Sequence, residues 1–167
     1  MKKDLGIIFG LFFFLAALII FGKGFTSTSF LGSGESTKEA TVIKKDVVDV
    51  IIRDLVITTK VANTNKLREK GLSKQESMAL NWGMLFVFEK NSPWAFWMKD
   101  MKFAIDIIWI DENKKIVHIF ENVSPEPRKK DKDLIIYKPP VDSRYVLEIN
   151  AGLAKLHNIQ PGDPVDF

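Results

Sequence analysis

From Leu5 to Gly22, eighteen successive residues carry no formal charge. Phe9, Leu11, Phe12, Phe13, Phe14 and Leu15 put apolar side chains on every side of the helix this run would form, which is not the pattern of a helix with a solvated face. At 1.5 Å of rise per residue the run spans about 27 Å, close to the hydrocarbon thickness of a bilayer, so it predicts a single transmembrane helix over residues 5–22. Lys2, Lys3 and the amino terminus outweigh Asp4 on one flank, whereas only Lys23 follows closely on the other. The positive-inside rule therefore leaves residues 1–4 in the cytoplasm and predicts a single-pass protein of the cell membrane, its C-terminal part outside. A cleaved signal peptide shares the basic start and apolar run, and secretion after cleavage is the alternative. No clear Ala-x-Ala site follows to favour it. From Gly22 to Thr41 the chain turns to glycine, serine and threonine. That is the composition of a flexible spacer, read as a linker over residues 23–46 with a span on the order of 25 Å.

Past residue 47 the pattern changes to short apolar stretches broken by turn residues. Val47 to Val61 is rich in β-branched side chains, and Asp54 to Val61 predicts a first strand. Thr64 or Asn65 then caps a short helix over Lys66 to Lys70, ended by Gly71. Gly83 to Phe88 predicts a strand buried on both faces. Trp94 to Lys99 and Phe103 to Ile110 predict two more, the second turning through Asp111-Glu112-Asn113-Lys114, with Asn113 left-handed, into Lys115 to Phe120. Four prolines and a charged run occupy Glu121 to Arg144, a loop long enough to suggest a lid. Tyr145 to Ile149 alternates, placing Tyr145, Leu147 and Ile149 on one face and Val146 with Glu148 on the other. Asn150 would cap a second helix, Ala151 to His157, and Pro161-Gly162 would lead to a last short strand around Val165. Together these elements predict a mainly β domain over residues 47–167, a sandwich or partly closed barrel with two short helices, preceded by the transmembrane helix.

Charge narrows the choice of partners. Over residues 47–167 there are 18 Lys and Arg against 17 Asp and Glu, so the domain is nearly neutral and nucleic acid is not an expected partner. The expected partner is the lipid bilayer, through Leu5 to Gly22. The one basic cluster, Arg128 to Asp133, is interleaved with aspartates and reads as a solvated loop. Absence of cysteine excludes disulfides, thiolate catalysis and sulfur-ligated metals together.

Three ionisable residues stand in apolar strand context: Lys99 after Phe96-Trp97-Met98, Asp106 between two isoleucines, and Glu148 between Leu147 and Ile149. Burying a charge is costly unless it is paired or reaches a wet cleft. Three readings follow: an ion pair of Lys99 with Asp106 or Glu148, or one made by Arg68; a polar cleft for a small ligand; or general acid-base catalysis by the two carboxylates. Alternation puts Trp97 with Lys99, making Trp97 a candidate wall of the cleft. His118 and His157 lie far apart, with no carboxylates at ligand spacing, so neither a metal nor any other cofactor is expected. No glycine-rich phosphate loop, nucleophile elbow or serine triad pattern is present.

Lys70-Gly71-Leu72, Gly83-Met84-Leu85-Phe86-Val87-Phe88, Phe96-Trp97-Met98-Lys99, Ile105-Asp106-Ile107 and Val146-Leu147-Glu148-Ile149-Asn150-Ala151-Gly152, ending at Gly162-Asp163, come in an order that resembles domain-of-unknown-function family 192, which is widespread in bacteria and archaea. The likeness runs from about Asp54 to Phe167. It implies a jelly-roll-like sandwich with short helices, often exported or membrane-anchored, and it implies no activity. The family's polar positions fall on Lys99, Asp106 and Glu148, with Trp97 beside them. This chain departs from the pattern in having Asp100-Met101 where Asn-Thr is common, and Lys70 where an arginine is usual. Any role that needs that amide or that guanidinium is not carried over.

The leading expectation is a non-enzymatic module outside the cytoplasmic membrane, with Trp97, Lys99, Asp106 and Glu148 lining a cleft for a small polar or carbohydrate-like ligand. Two alternatives stand beside it. One is a hydrolase of envelope polymers using the two carboxylates; the other is a partner-binding domain of an envelope complex that uses Pro125 to Pro140.

Overall fold

The computed structural model describes residues 46–167. The expected anchor at 5–22 and the linker up to residue 45 lie outside the described residues. Among the described residues no helix is long and apolar enough to cross a membrane. In chain order the elements are β1 (Val47–Ile52), β2 (Leu55–Ala62), α1 (Asn65–Lys70), β3 (Trp82–Ser92), β4 (Ile105–Ile110), β5 (Ile116–Val123), a 3-10 turn (Asp131–Asp133), β6 (Ser143–Asn150) and α2 (Leu153–Leu156).

The six strands form a single mixed sheet in the order β1-β2-β3-β6-β4-β5. β2 and β3 run parallel, and every other neighbouring pair is antiparallel. The domain is mainly β with two short helices, as its patterning predicts. It has one sheet where a sandwich needs two, and no ladder closes that sheet into a barrel. The physical reason lies in what covers its two faces. Val50, Ile57, Leu85, Ile108, Leu147 and Ile149 point to one side, where Ala154, Ile159 and Val165 of α2 and the C-terminal tail pack on them. Met84, Phe86, Ile105, Ile107, Trp109 and Val146 point to the other, and Leu72, Met98 and Met101 cover them. Irregular chain thus serves as the second layer, and all six residues of β4 are buried between the layers.

Trp94 to Lys99, expected as a strand, belongs to this cover. Its one pairing is the bridge of Phe96 with Tyr137, made by two N–H···O bonds of 2.8 Å. Aromatic content gave it strand character, but Trp94, Phe96 and Met98 face inward to roof the sheet while Trp97 stays exposed. Tyr137 lies in the long stretch between β5 and β6, which is tied down here and again where Glu126 accepts from the Ile135 N–H at 2.9 Å. At the sheet edges the tail bridges Ile51 of β1 through Asp166 and Lys115, just before β5, through Pro164. The Arg53–Asp163 ion pair at 2.7 Å holds the tail there. Both exposed edges gain a partner without a closing strand.

Local signals explain most boundaries. The Thr64 hydroxyl accepts from Leu67 N–H at 3.3 Å to start α1, and Gly71, at φ +46°, ends it. In the β4–β5 turn Lys114, not Asn113, takes the left-handed conformation, because Asp111 Oδ1 accepts from both Asn113 and Lys115 N–H groups and sets the turn. Nor does Asn150 cap the second helix; its own side-chain amide donates to Ala79 C=O at 2.9 Å. α2 spans only Leu153–Leu156, and the carboxylate above its N-terminus comes from Asp106.

Candidate functional site

β3 and β6 lie side by side in register, with Met84 opposite Glu148. On the face where Met84, Phe86 and Val146 point, a cavity of about 770 Å³ opens between the sheet, α1 with the turn that follows it, and the segment 94–101. Phe86 and Phe96, edge to face at 4.9 Å, line its apolar part. Lys66, Arg68 and Lys70 of α1, then Lys74 and Lys99, bring five cations to its walls.

Glu148 also lines this cavity. It is 5% exposed, and its Oε2 is buried without a hydrogen-bond partner. Its ladder neighbours Met84 and Ile107 offer no polar group. Burial pushes the carboxyl up from its ordinary 4.5 to about 8, so at neutral pH it is mostly the uncharged acid, able both to donate and to accept one hydrogen bond.

Lys99 does not pair with Glu148 or Asp106. Its ammonium meets Asp131 at 2.5 Å, and that bond raises its pKa. The same ammonium sits 5.8 Å from the centre of the Trp97 ring, which is 48% exposed. Asp131 comes from the basic-acidic run expected to be solvated loop, and nothing local in sequence marks it as the partner of Lys99.

Asp106 is elsewhere. It is fully buried on the opposite face of the sheet, where its carboxylate accepts from three backbone N–H groups: Asn122 at 2.8 Å, Gly152 at 3.1 Å and Ala154 at 2.9 Å. Asn122 itself has φ +52°. Asp106 therefore holds together the irregular end of β5 and the start of α2, and it lines no cleft. The structure brings Trp97, Lys99 and Glu148 to one cavity and leaves Asp106 out, so Asp106 and Glu148 are not a carboxylate pair.

Arg68, weighed in the sequence only as an ion-pair partner, is a wall of the cavity. Nη1 donates to Val87 C=O at 2.7 Å, Nη2 to Asn65 Oδ1 at 2.6 Å, and Cζ lies 5.2 Å from the Phe88 ring centre. The Asn65–Arg68 spacing of three on a capped helix is the signal that could have found the first-turn contact. Among the residues that line the cavity, Lys74 and Asp100 both take positive φ, at +63° and +56°, and are joined by a 2.9 Å bond from Lys74 N–H to Asp100 C=O. Left-handed backbone at two non-glycine residues is strain held by the surrounding structure.

His118 packs 4.7 Å from the Phe120 ring, and His157 Nδ1 meets Asp54 Oδ1 at 3.1 Å, a contact that lowers the Asp54 pKa. Among the described residues no group of three His, Asp or Glu could hold a metal ion.

The sequence profile of domain-of-unknown-function family 192, described as "uncharacterized ACR", matches residues 48–167. The chain belongs to this family. A solved structure from Sinorhizobium meliloti 1021, described as a candidate transcription regulator, is 31% identical, with 72% of this chain and 91% of that chain covered and a TM-score of 0.63. A protein of unknown function from Novosphingobium aromaticivorans DSM 12444 is 26% identical over 86% of this chain and all of its own, with a TM-score of 0.66. No curated protein matches the chain.

Proposed function

We propose that this family member is a binding module, held beyond the cytoplasmic membrane by residues 5–22, that takes a small polar ligand into the cavity above β3 and β6. The observation that carries this reading is the position of Glu148: a buried, unpartnered carboxyl in the wall of an open cavity. An ion-pair scaffold would have supplied that oxygen with a partner, since leaving a buried polar atom unmade costs about 1–3 kcal/mol. Aromatic walls with a few convergent polar groups are the usual makeup of a small-molecule site. A hydrolase acting through Asp106 and Glu148 finds no support, because the sheet lies between them.

Binding is tested on the full-length chain in detergent, following tryptophan fluorescence against a panel of monosaccharides, short dicarboxylates and aromatic acids. At least one class should give a saturable change that Trp97→Phe diminishes; a flat response to every class would end this reading. The tether is tested separately by alkaline extraction of membranes and by protease added outside spheroplasts. An intact chain in the soluble fraction, or a domain shielded from external protease, would remove that part.

A further inference from the structure

Deepening the binding reading, on which it rests, we propose that the cavity selects a small organic anion, a carboxylate on an apolar or planar body. The carboxylate docks on Arg68, and the body lies against Phe86 and Phe96 with a polar atom on the Glu148 carboxyl.

Arg68 has the features of an anion receptor. Its two hydrogen bonds run to a carbonyl and an amide oxygen, so its charge is left uncompensated: among the described residues no carboxylate pairs with it. Those bonds and the Phe88 ring fix the plane of the guanidinium while using two of its five N–H donors. A planar fork fixed in advance loses little rotamer freedom when a carboxylate arrives. Lys70 and Lys74, on the same walls, have no ion-pair partner among the described residues either.

The remaining charges around the cavity agree with this sign. Facing Glu148 across it are Lys66, Arg68, Glu69 and Lys70 on α1, Lys74 in the turn, and Lys99 with Asp100 on the segment 94–101. The strands beneath contribute no charge beside it, only Met84 and Ile107. Cations outnumber carboxylates, and Lys99 alone of the cations is paired, to Asp131. An ammonium ligand could ionise Glu148 and pair with it, but it would have to pass and remain among uncompensated cations. An anion meets attraction at the wall and an uncharged acid deeper in, which donates a hydrogen bond where a carboxylate would repel.

Benzoate, benzamide and benzylamine have one body and three head groups, and calorimetry with the full-length chain in detergent at low salt separates them. Benzoate should bind at least about tenfold tighter than benzamide, with benzylamine weakest. Arg68→Gln should remove about tenfold of that preference. Because Arg68 also braces Val87, the exposed double change Lys70→Gln/Lys74→Gln provides a second reading that does not touch the fold: a several-fold loss for benzoate and none for benzamide. Glu148→Gln, uncharged at every pH, should keep benzoate affinity at pH 9, where the native chain loses it. Benzylamine binding as well as benzoate, or both sets of cation variants leaving the preference intact, would overturn the assignment. If all three fail while a neutral sugar binds, the anion assignment falls and the binding module survives. If nothing on either panel binds, both fall.

Discussion

Asp106 and Glu148 are buried carboxylates on neighbouring strands, β4 and β6, and their treatment by the fold is opposite. Asp106 accepts three backbone N–H groups and ties β5 to α2. Glu148 has a buried oxygen that nothing reaches, on the face that opens to the cavity. Both sit between apolar neighbours, so hydrophobic context alone does not separate a structural acid from a site acid. The distinction is whether the fold itself supplies the hydrogen-bond partners. A saturated carboxylate belongs to the scaffold, whereas an unsaturated one beside open space is held at a cost that a ligand can offset.

The sharpest way to break this comparison is Asp106→Ala. It leaves three N–H groups unsatisfied, two of them at the start of α2, and should cost roughly 3–5 kcal/mol in denaturant unfolding. A loss below about 1 kcal/mol would mean the three bonds carry no weight.

Glu148 should behave in the contrary sense. Its folded pKa of about 8 lies above the ordinary 4.5, so between these values the folded chain holds a proton the unfolded chain has released. Stability contributed by the uncharged form is complete below pH 4.5 and falls as pH rises toward 8, by a few kcal/mol in total. Glu148→Gln should flatten that decline, making the variant the more stable chain at pH 9 while the two converge near pH 4. Parallel melting curves for the two proteins across this range would refute the buried-acid account.

Gly83 probes the same strands from behind. A Cβ there would lie 2.7 Å from Glu148 C=O and 2.9 Å from Ile57 Cγ2, so Gly83→Ala must push β6 or β2 away at a cost of about 1–3 kcal/mol. An unchanged unfolding midpoint would show that the sheet yields freely. Smallest is Lys99→Ala. Its partner Asp131 is exposed, so the unfolding curve should not move, while the Trp97 emission should shift as the cation leaves its ring. A clear loss of stability instead would make the pair a structural clamp.

Much of the scaffold was legible because its causes are local. Alternation over Tyr145 to Ile149 sorted β6 onto the correct faces, and a cap at Thr64 or Asn65 with a stop at Gly71 delimited α1, the structure choosing Thr64. Trp94 to Lys99 misled because strand propensity measures fit to a half-buried surface, and a segment roofing a sheet meets the same condition. The grouping of Asp106 with Glu148 misled for a different reason. Parity within each strand is readable, but which parity of β4 shares a face with which parity of β6 depends on register, here Ile107 opposite Glu148.

What the amino-acid order determined by itself is therefore everything carried by near neighbours: the apolar run at 5–22, the β character of the domain, the short helix that ends at Gly71, and the setting of Lys99, Asp106 and Glu148 among apolar residues, of which Asp106 and Glu148 are buried. Tertiary structure alone decided which of those residues meet. Asp106 finds its amides 16 to 48 residues away and Lys99 its aspartate 32 away, and pairings over such distances are set by strand order and register, which no local pattern encodes.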